Sequence, residues 1–485
     1  MKTSYILAID QSTSGTKAIL FDDEGSPAGR YDLPHVQKVD GQGWVSHDPE
    51  EIYANTIGAV KGVVDKSGVK KSAIAGAGIS NQRETALVWD KVSGAPVMDA
   101  VVWQCNRGQE ICDRLAQAGY KKNILAATGL PLSPYFSAAK IAWVLEHAGL
   151  PQNNLCAGTI DSWLIYKLTG GRNFATDYSN ASRTQLFSIG SLRWDEDICG
   201  IFNIAPSILP EVCDSNSFFG ETDFGGFFDN PIPIHGVLGD SHAALFGQGC
   251  NRAGMAKATY GTGSSVMMNI GQAPVSSSKG LAVSLGWRMD GRADYVLEGN
   301  INYSCAVIKW LTDSLGLLAS DRDAGAVASA ANPADSTYLV PAFSGLGAPH
   351  WKPEARALIC GMTRTTGKAE IVRAAEECIA YQIADVVDAM LDDSGFPLSE
   401  LRADGGAAKD SFLMQFQSDI LNIPVAAASM GDLSAFGAAA AAGIALGVYP
   451  LEITEKCIRS GYSPVMDPDT RERKRAGWRR ALAGV

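Results

Sequence analysis

The sequence predicts an α/β protein made of two halves that repeat one architecture. Three observations carry this expectation. Short apolar, strand-like runs alternate with helix-like runs. Two hairpins with small-residue tips, at residues 12–16 and 261–265, lie about half a chain apart. A chain of 485 residues is also too long for one hydrophobic core.

The first hairpin is "ILAIDQSTSGTKAILFDDEG", where apolar runs flank Ser12, Thr13, Ser14, Gly15 and Thr16. Asp10 ends its first strand, and the backbone N–H groups and hydroxyls of the tip can face an anion. A phosphate with a bound cation needs such a tip, although an ordinary polar turn reads equally well from this segment alone. The runs "AIAGAGIS" before Asn81 and "ETALVWD" to Asp90 follow as strands, and "SAAKIAWVLEHAG" from Ser137 as a helix. "IHGVLGD" is a strand ending in Asp240, and a helical run rich in small residues, "HAALFGQGC", follows it. The second hairpin, "MAKATYGTGSSVMMNIG", carries Gly261, Thr262, Gly263, Ser264 and Ser265 at its tip. In "LRADGGAAKDSFLMQFQSDIL" a strand runs into Gly405 and Gly406 and then a helix, whose N-terminus suits a nucleotide lying against backbone. The uncharged stretch from Ser434 to Leu451 is nearly long enough to span a membrane, but Ala and Gly dominate it and Pro450 ends it, so it reads as a buried helix. No low-complexity linker separates the halves; the boundary is expected between Gly247 and Gly254, giving domains of residues 1–250 and 251–485.

Charge and cysteine usage narrow the function classes. The 41 Lys and Arg against 52 acids, a net charge of −11, exclude a broad basic surface for nucleic acid or an anionic membrane, so any phosphate site must be local. Ten cysteines without a CxxC pair or a Cys/His cluster fit reduced thiols and a cytoplasmic enzyme. The apolar "YILAI" near the N-terminus is too short for a signal-peptide core.

The stretches "ISNQRETALVWD", "VVWQCNRG", "GLPLSPYFSAAKIAWVLEH", "TDYSNASRTQLF", "GMAKATYGTG", "VPAFSGLGAPHWKPEARALICGMTR" and "DGGAAKDSFLMQFQSDIL" occur in this order. Together they resemble the FGGY family of carbohydrate kinases, and within it the glycerol kinase branch, from end to end. The resemblance implies a duplicated actin-like (ribonuclease H-like) fold, two α/β domains around a central cleft where ATP with Mg2+ meets a polyol. It implies that Asp10 is the magnesium-associated carboxylate and that Thr13 and Ser14 belong to a first phosphate loop, with Lys17 where arginine is usual. Arg83, Glu84, Tyr135 and Asp240 are then the polyol contacts and Trp103 an apolar wall. Thr262 falls in a second phosphate loop and Gly406 near the nucleotide. The chain departs from the family pattern at Ser241 (usually glutamine), Ser265 (phenylalanine), Cys305 (glycine), Lys309 (glutamine) and Asp410 (asparagine).

Phosphoryl transfer to an alcohol needs the hydroxyl in line with the γ-phosphorus, charge cover on the oxygens and a proton acceptor. Asp240 can be that base, although on its own it also reads as a cap for the helix starting near His242. Arg83 and Glu84 would point to opposite sides of an extended segment, so binding one diol demands a bent backbone; otherwise they form a surface ion-pair strand. Trp103 and Tyr135 can pack against C–H groups of a polyol, or simply fill a core. His242 reads as a buried, hydrogen-bonded helix histidine. Lys17 can neutralise a phosphate oxygen, or remain a solvated hairpin lysine. Ser241 and Ser265 shrink side chains that face the polyol, which favours a four- or five-carbon polyol or ketose over glycerol. Glycerol itself is the alternative, and an actin-like ATPase switch or filament protein is the alternative from another class. The expected partners are ATP and a small polyol, without nucleic acid or membrane; a homo-oligomer is left open.

Overall fold

The computed structural model describes residues 4–457 and 459–485. Its first sheet grows from the opening hairpin. Strands Tyr5–Gln11 and Gly15–Phe21 pair antiparallel, and a third strand, Pro27–Pro34, continues the meander. On the other edge Ile74–Asn81 and then Ile232–Gly239 join in parallel. The strands at the centre are apolar on both faces, as parallel strands covered on both sides must be. Register places Asp10 directly opposite Lys17, so the two charged side chains at the tip are cross-strand neighbours.

The second sheet repeats this topology. Strands Ala256–Tyr260 and Ser264–Gly271 form the hairpin, Arg292–Ile301 pairs antiparallel with its outer strand, and Leu401–Gly405 and Val425–Ala428 follow in parallel on the inner side. Ala282–Met289 extends the antiparallel edge. Both hairpin tips, at residues 12–14 and 261–263, therefore sit at equivalent corners of equivalent sheets. A separate five-stranded sheet in the first half carries Ala86–Asp90 and Ala100–Val101, which lead out of Glu84 and into Trp103.

The alanine-rich run forms the helix Leu433–Ala445, shorter than the uncharged stretch, and Pro450 opens a 3-10 turn at Leu451–Lys456. Among the described residues no helix is long and apolar enough to cross a membrane. This helix belongs to the second half by sequence, yet it packs on strands Tyr5–Gln11, Ile74–Asn81 and Ile232–Gly239 of the first sheet and on the helix Asp240–Gly247. Ala435 and Ala438 to Ala442 are fully buried there. Small side chains are what the packing allows, because a Cβ on Gly437 would fall 1.8 Å from the carbonyl oxygen of Ala243. That contact is backbone on one side, so it cannot be relieved by a rotamer change. Gly437→Ala is expected to destabilise the protein by about 1–3 kcal/mol, by displacing the helix that begins with Asp240. A lowered urea midpoint for Gly437→Ala, with the exposed Ala445→Gly as a helix control of smaller effect, checks it.

Candidate active site

The strand Ile74–Asn81 ends in a tight bend before Ala86–Asp90. Glu84 adopts a left-handed backbone, φ 61°, and the Thr85 N–H donates to the Arg83 carbonyl at 2.7 Å. This is the bend that an extended segment lacks, and it lets Arg83 and Glu84 line one cavity. They are 6% and 2% exposed, which overturns the surface ion-pair alternative. The residue before Asp240 must be small for Arg83 to pass: a Cβ on Gly239 would lie 2.6 Å from Arg83 Cγ.

Arg83 forks onto Glu298, Nη1 to Oε2 at 3.0 Å and Nη2 to Oε1 at 2.8 Å, while its Nε faces Asp240 Oδ1 at 3.1 Å. Glu298 is fully buried and also takes Arg183 Nη1 at 2.8 Å; Arg183 Nε in turn donates to Glu84 Oε1 at 2.6 Å. Asp240, Arg83, Glu298, Arg183 and Glu84 thus form one chain of alternating charge. Burial opposes the charge on Glu298, but Arg183 and Arg83 outweigh it and hold the carboxyl well below the usual range. Burial likewise opposes the charge on Arg83, and Glu298, Glu84 and Asp240 more than restore it. Asp240 moves the other way: burial raises its pKa above the ordinary 3.8, Glu84 adds to the rise, and Arg83 opposes it.

Asp240 keeps its side chain 36% exposed and lines the cavity. It does not cap the following helix, whose N-cap is Gly239 without a side-chain bond; its Oδ1 accepts from the adjacent Ser241 N–H at 2.6 Å and also faces Arg83 Nε. His242 is fully buried with Nε2 3.2 Å from Ser284 Oγ, the structural histidine expected, and burial holds its pKa well below the ordinary range.

The walls of this cavity, about 730 Å3, also include Trp103, Tyr135, Ser241, Ser265 and Thr13. Trp103 and Tyr135 meet edge to face with centroids 5.6 Å apart. Trp103 is more than an apolar wall, since its Nε1–H donates to Thr13 Oγ1 at 2.9 Å and ties the wall to the first hairpin tip. Tyr135 is held from behind by Lys140, whose fully buried Nζ donates to the carbonyls of Pro134, Tyr135 and Phe136; burial lowers its pKa to about 7. The Ser265 hydroxyl donates to Glu298 Oε1 at 3.2 Å.

At the first hairpin tip, Asp10 accepts from Ser80 Oγ and from Lys17 Nζ, each at 3.0 Å. Lys17 also lies 3.6 Å from Asp432, so it is not a solvated hairpin lysine; burial disfavours its charge, but Asp10 and Asp432 raise its pKa overall. Ser14 stands exposed at the tip. Thr262 lines the first cavity and also a second, of about 810 Å3, walled by Cys305, Ile308, Lys309, Glu376, Gly406 and Asp410 among others. Gly406 opens a 3-10 turn, Gly406–Lys409, rather than the helix expected there. The helix proper is Ser411–Leu421, and Asp410 is its N-cap, accepting from the N–H groups of Phe412 and Leu413 at 2.8 and 3.2 Å. Lys309 lies at the rim, its side chain 69% exposed and paired with Asp313 at 2.7 Å. Among the described residues no three His, Cys, Asp or Glu side chains cluster to hold a metal alone. Asp10 with phosphate oxygens and water is the donor set that magnesium prefers.

Glu298, Arg183 and Lys140 were not singled out from the sequence. Two of them left a trace there, a lone charge inside an apolar run, "YVLEGNI" and "SAAKIAWVL", whereas Arg183 sits among polar residues in "NASRTQLF". Neutralising the central acid leaves two buried guanidiniums short of a partner. Glu298→Gln is therefore expected to cost about 3–5 kcal/mol of stability at neutral pH. The sign with pH follows from the depressed pKa: the contribution of Glu298 is complete above the ordinary glutamate value of 4.5 and is lost as pH falls through its lower folded-state value. Urea unfolding at pH 7 and pH 4 should show the variant's deficit shrinking at the lower pH.

Comparison with known proteins places this geometry in a family. The pattern of the FGGY family of carbohydrate kinases matches with its N-terminal domain over residues 5–247 and its C-terminal domain over residues 256–446. The chain is 47% identical to glycerol kinase 1 of Thermotoga maritima, covering 99% of each, and 44% identical to glycerol kinase of Carboxydothermus hydrogenoformans, covering 99% of this chain and 98% of the relative. Among solved structures, Plasmodium falciparum glycerol kinase with ADP superposes with a TM-score of 0.94 at 34% identity, over 99% of this chain and 98% of that one. A ligand-bound xylulose kinase from Lactobacillus acidophilus shares the fold, with a TM-score of 0.89 at 22% identity over 99% and 97% of the two chains. The duplicated, actin-like two-domain architecture is the one these kinases share, and the chain belongs to the FGGY family of carbohydrate kinases.

Proposed function

We propose that this chain transfers the γ-phosphoryl group of ATP to a terminal hydroxyl of glycerol. The observation that carries the reading is the shared wall at Thr262, which joins the cavity holding Asp240, Arg83 and Glu84 to the cavity holding Gly406. A donor phosphate at that wall faces an acceptor hydroxyl at Asp240. The names of the relatives support glycerol as the acceptor.

In this reading Asp240 accepts the proton of the attacking hydroxyl. Its remaining contact with Arg83 keeps the carboxylate aimed into the cavity. Arg83 donates to a neighbouring hydroxyl with edges not spent on Glu298, and Glu84 accepts from another, which orients a vicinal diol. Trp103 and Tyr135 cover the carbon chain and exclude water, with Ser241 and Ser265 closing the far side. Thr13, Ser14 and Thr262 present hydroxyls and N–H groups to the phosphates, and Gly406 gives the nucleotide a close approach to backbone. Asp10 would hold Mg2+, which supplies charge cover for the β- and γ-phosphate oxygens. Lys17, released from Asp10, could then serve a phosphate oxygen. Lys309 and Asp410 shape the mouth of the nucleotide cavity. We take residues 1–250 and 251–485 as the two domains, whose closure would exclude water from the cleft between them, and we assign the reaction to the cytoplasm, where ATP is supplied.

The expectation of a four- or five-carbon acceptor, drawn from Ser241 and Ser265, finds no support in the relatives, and the Ser265 hydroxyl is already directed at Glu298. Coupled ADP release with glycerol, erythritol and ribitol tests the acceptor: kcat/KM is expected to be highest for glycerol. ATP turnover indifferent to every polyol would overturn the kinase reading in favour of an ATPase switch. Asp240→Asn should retain ATP binding and lower kcat by roughly 10²–10⁴-fold. Because the Asp240 pKa lies above 3.8, the acid limb of kcat/KM should also fall above that value and be absent from the residual activity of the variant.

A further inference from the structure

The long helix Lys368–Ser394 sends one acid, Glu376, to the nucleotide cavity. The side chain is unusual in three respects. Glu376 is only 3% exposed. Its Oε2 is buried without a hydrogen-bond partner. The cations that line the same cavity, Lys309, Arg322 and Lys409, make no ion pair with it, and Lys309 is spent on Asp313. Buried carboxyl oxygens are rarely left unmatched, so a carboxyl with an orphan oxygen in the wall of a cavity points to a ligand group that completes it.

The chemistry of that group can be narrowed. Burial, with Asp410 adding to it, pushes the Glu376 carboxyl up to about 8, so at neutral pH it is largely the neutral acid. A neutral acid offers one O–H donor and one C=O acceptor side by side. A phosphate anion gains little from such a group, and the phosphates have the hairpin tip at Gly261 and Thr262. The lining of the same cavity also includes the apolar side chains of Ile308, Ile379, Ala306 and Ala407. Apolar walls around one donor–acceptor pair suit a flat heterocycle read at its edge. Adenine presents that complement, the N–H of its 6-amino group beside a ring nitrogen acceptor.

We propose that Glu376 is a specificity-determining residue of the donor site, whose carboxyl pairs with the 6-amino edge of adenine. The inference rests on the kinase reading above and adds to it the part of the nucleotide that this side chain recognises. In the complex the carbonyl oxygen accepts from the amino N–H, and the O–H donates to the ring nitrogen. No covalent change is involved.

The test compares ATP with purine riboside triphosphate, which lacks the 6-amino group, as phosphoryl donors to glycerol. Wild type should favour ATP in kcat/KM by about 5–30-fold, the loss expected when a buried polar group goes unpaired. Glu376→Leu should bring the ratio close to one, chiefly through KM for ATP, whereas Glu376→Gln, which keeps an adjacent acceptor and donor, should preserve it. A merely structural role would lower stability without changing this ratio. Equal use of the two donors by wild type overturns the inference whether or not any variant folds, and so does a ratio unchanged in Glu376→Leu. A third arm uses 2′-deoxy-ATP and 3′-deoxy-ATP: if Glu376→Leu instead erases a preference for a ribose hydroxyl, the base assignment is wrong. Absence of glycerol-dependent turnover with ATP in wild type would count against the kinase reading itself and not against Glu376.

Discussion

The buried carboxylate of Glu298 is the constraint on which the cavity around Asp240 depends. It lies in a strand of the second half and grips two arginines of the first, Arg83 and Arg183. Those guanidiniums would each cost several kcal/mol to bury alone. With Glu298 between them, and Asp240 and Glu84 at the two ends, every charge has an opposite neighbour. The same five residues orient the groups that face the cavity. Arg83 is fixed by its fork, Asp240 leans on Arg83, and Glu84 is set by Arg183 and by its own left-handed backbone. Such a network gives orientation more than stability, because replacing buried ion pairs by apolar residues is often neutral. Its use here is to make the site a property of both halves together.

Duplication explains why two hairpin tips can front one site. Each sheet ends its leading hairpin in a tip of small residues, and the repeat of topology puts the tips at matching corners. One tip reaches the aromatic wall through the bond from Trp103 to Thr13, and the other, through Thr262, fronts both cavities. The alanine-rich helix Leu433–Ala445 completes the frame by crossing to the first sheet. It packs against the helix that begins with Asp240, so the position of the proposed base is tied to chain from the far end of the sequence.

Much of this was legible in the sequence because local rules and tertiary structure agree. The hairpins, the strands leading to Asn81 and Asp240, and the helix from Ser137 follow from apolar runs and small-residue turns, which tertiary packing does not override. Arg83, Glu84, Trp103, Tyr135, Asp240, Ser241 and Ser265 line one cavity. What stayed hidden was partnership. A lone glutamate in "YVLEGNI" shows that a charge is buried but not which arginine it meets, since Arg83 and Glu298 are 215 residues apart. The role of Asp410 as a helix cap and the pairing of Lys17 with Asp10 and Asp432 were hidden for related reasons. Both depend on where chain segments meet or on where a helix begins, and a short 3-10 turn after Gly406 was enough to move that start.

The most direct measurement is a crystal structure of the chain with glycerol and a non-hydrolysable ATP analogue. The account predicts one terminal hydroxyl within about 2.6–3.2 Å of the Asp240 carboxylate, in line with the γ-phosphorus, with Arg83 still forked on Glu298. Glycerol bound away from Asp240, or Arg83 detached from Glu298 in the closed complex, would contradict it.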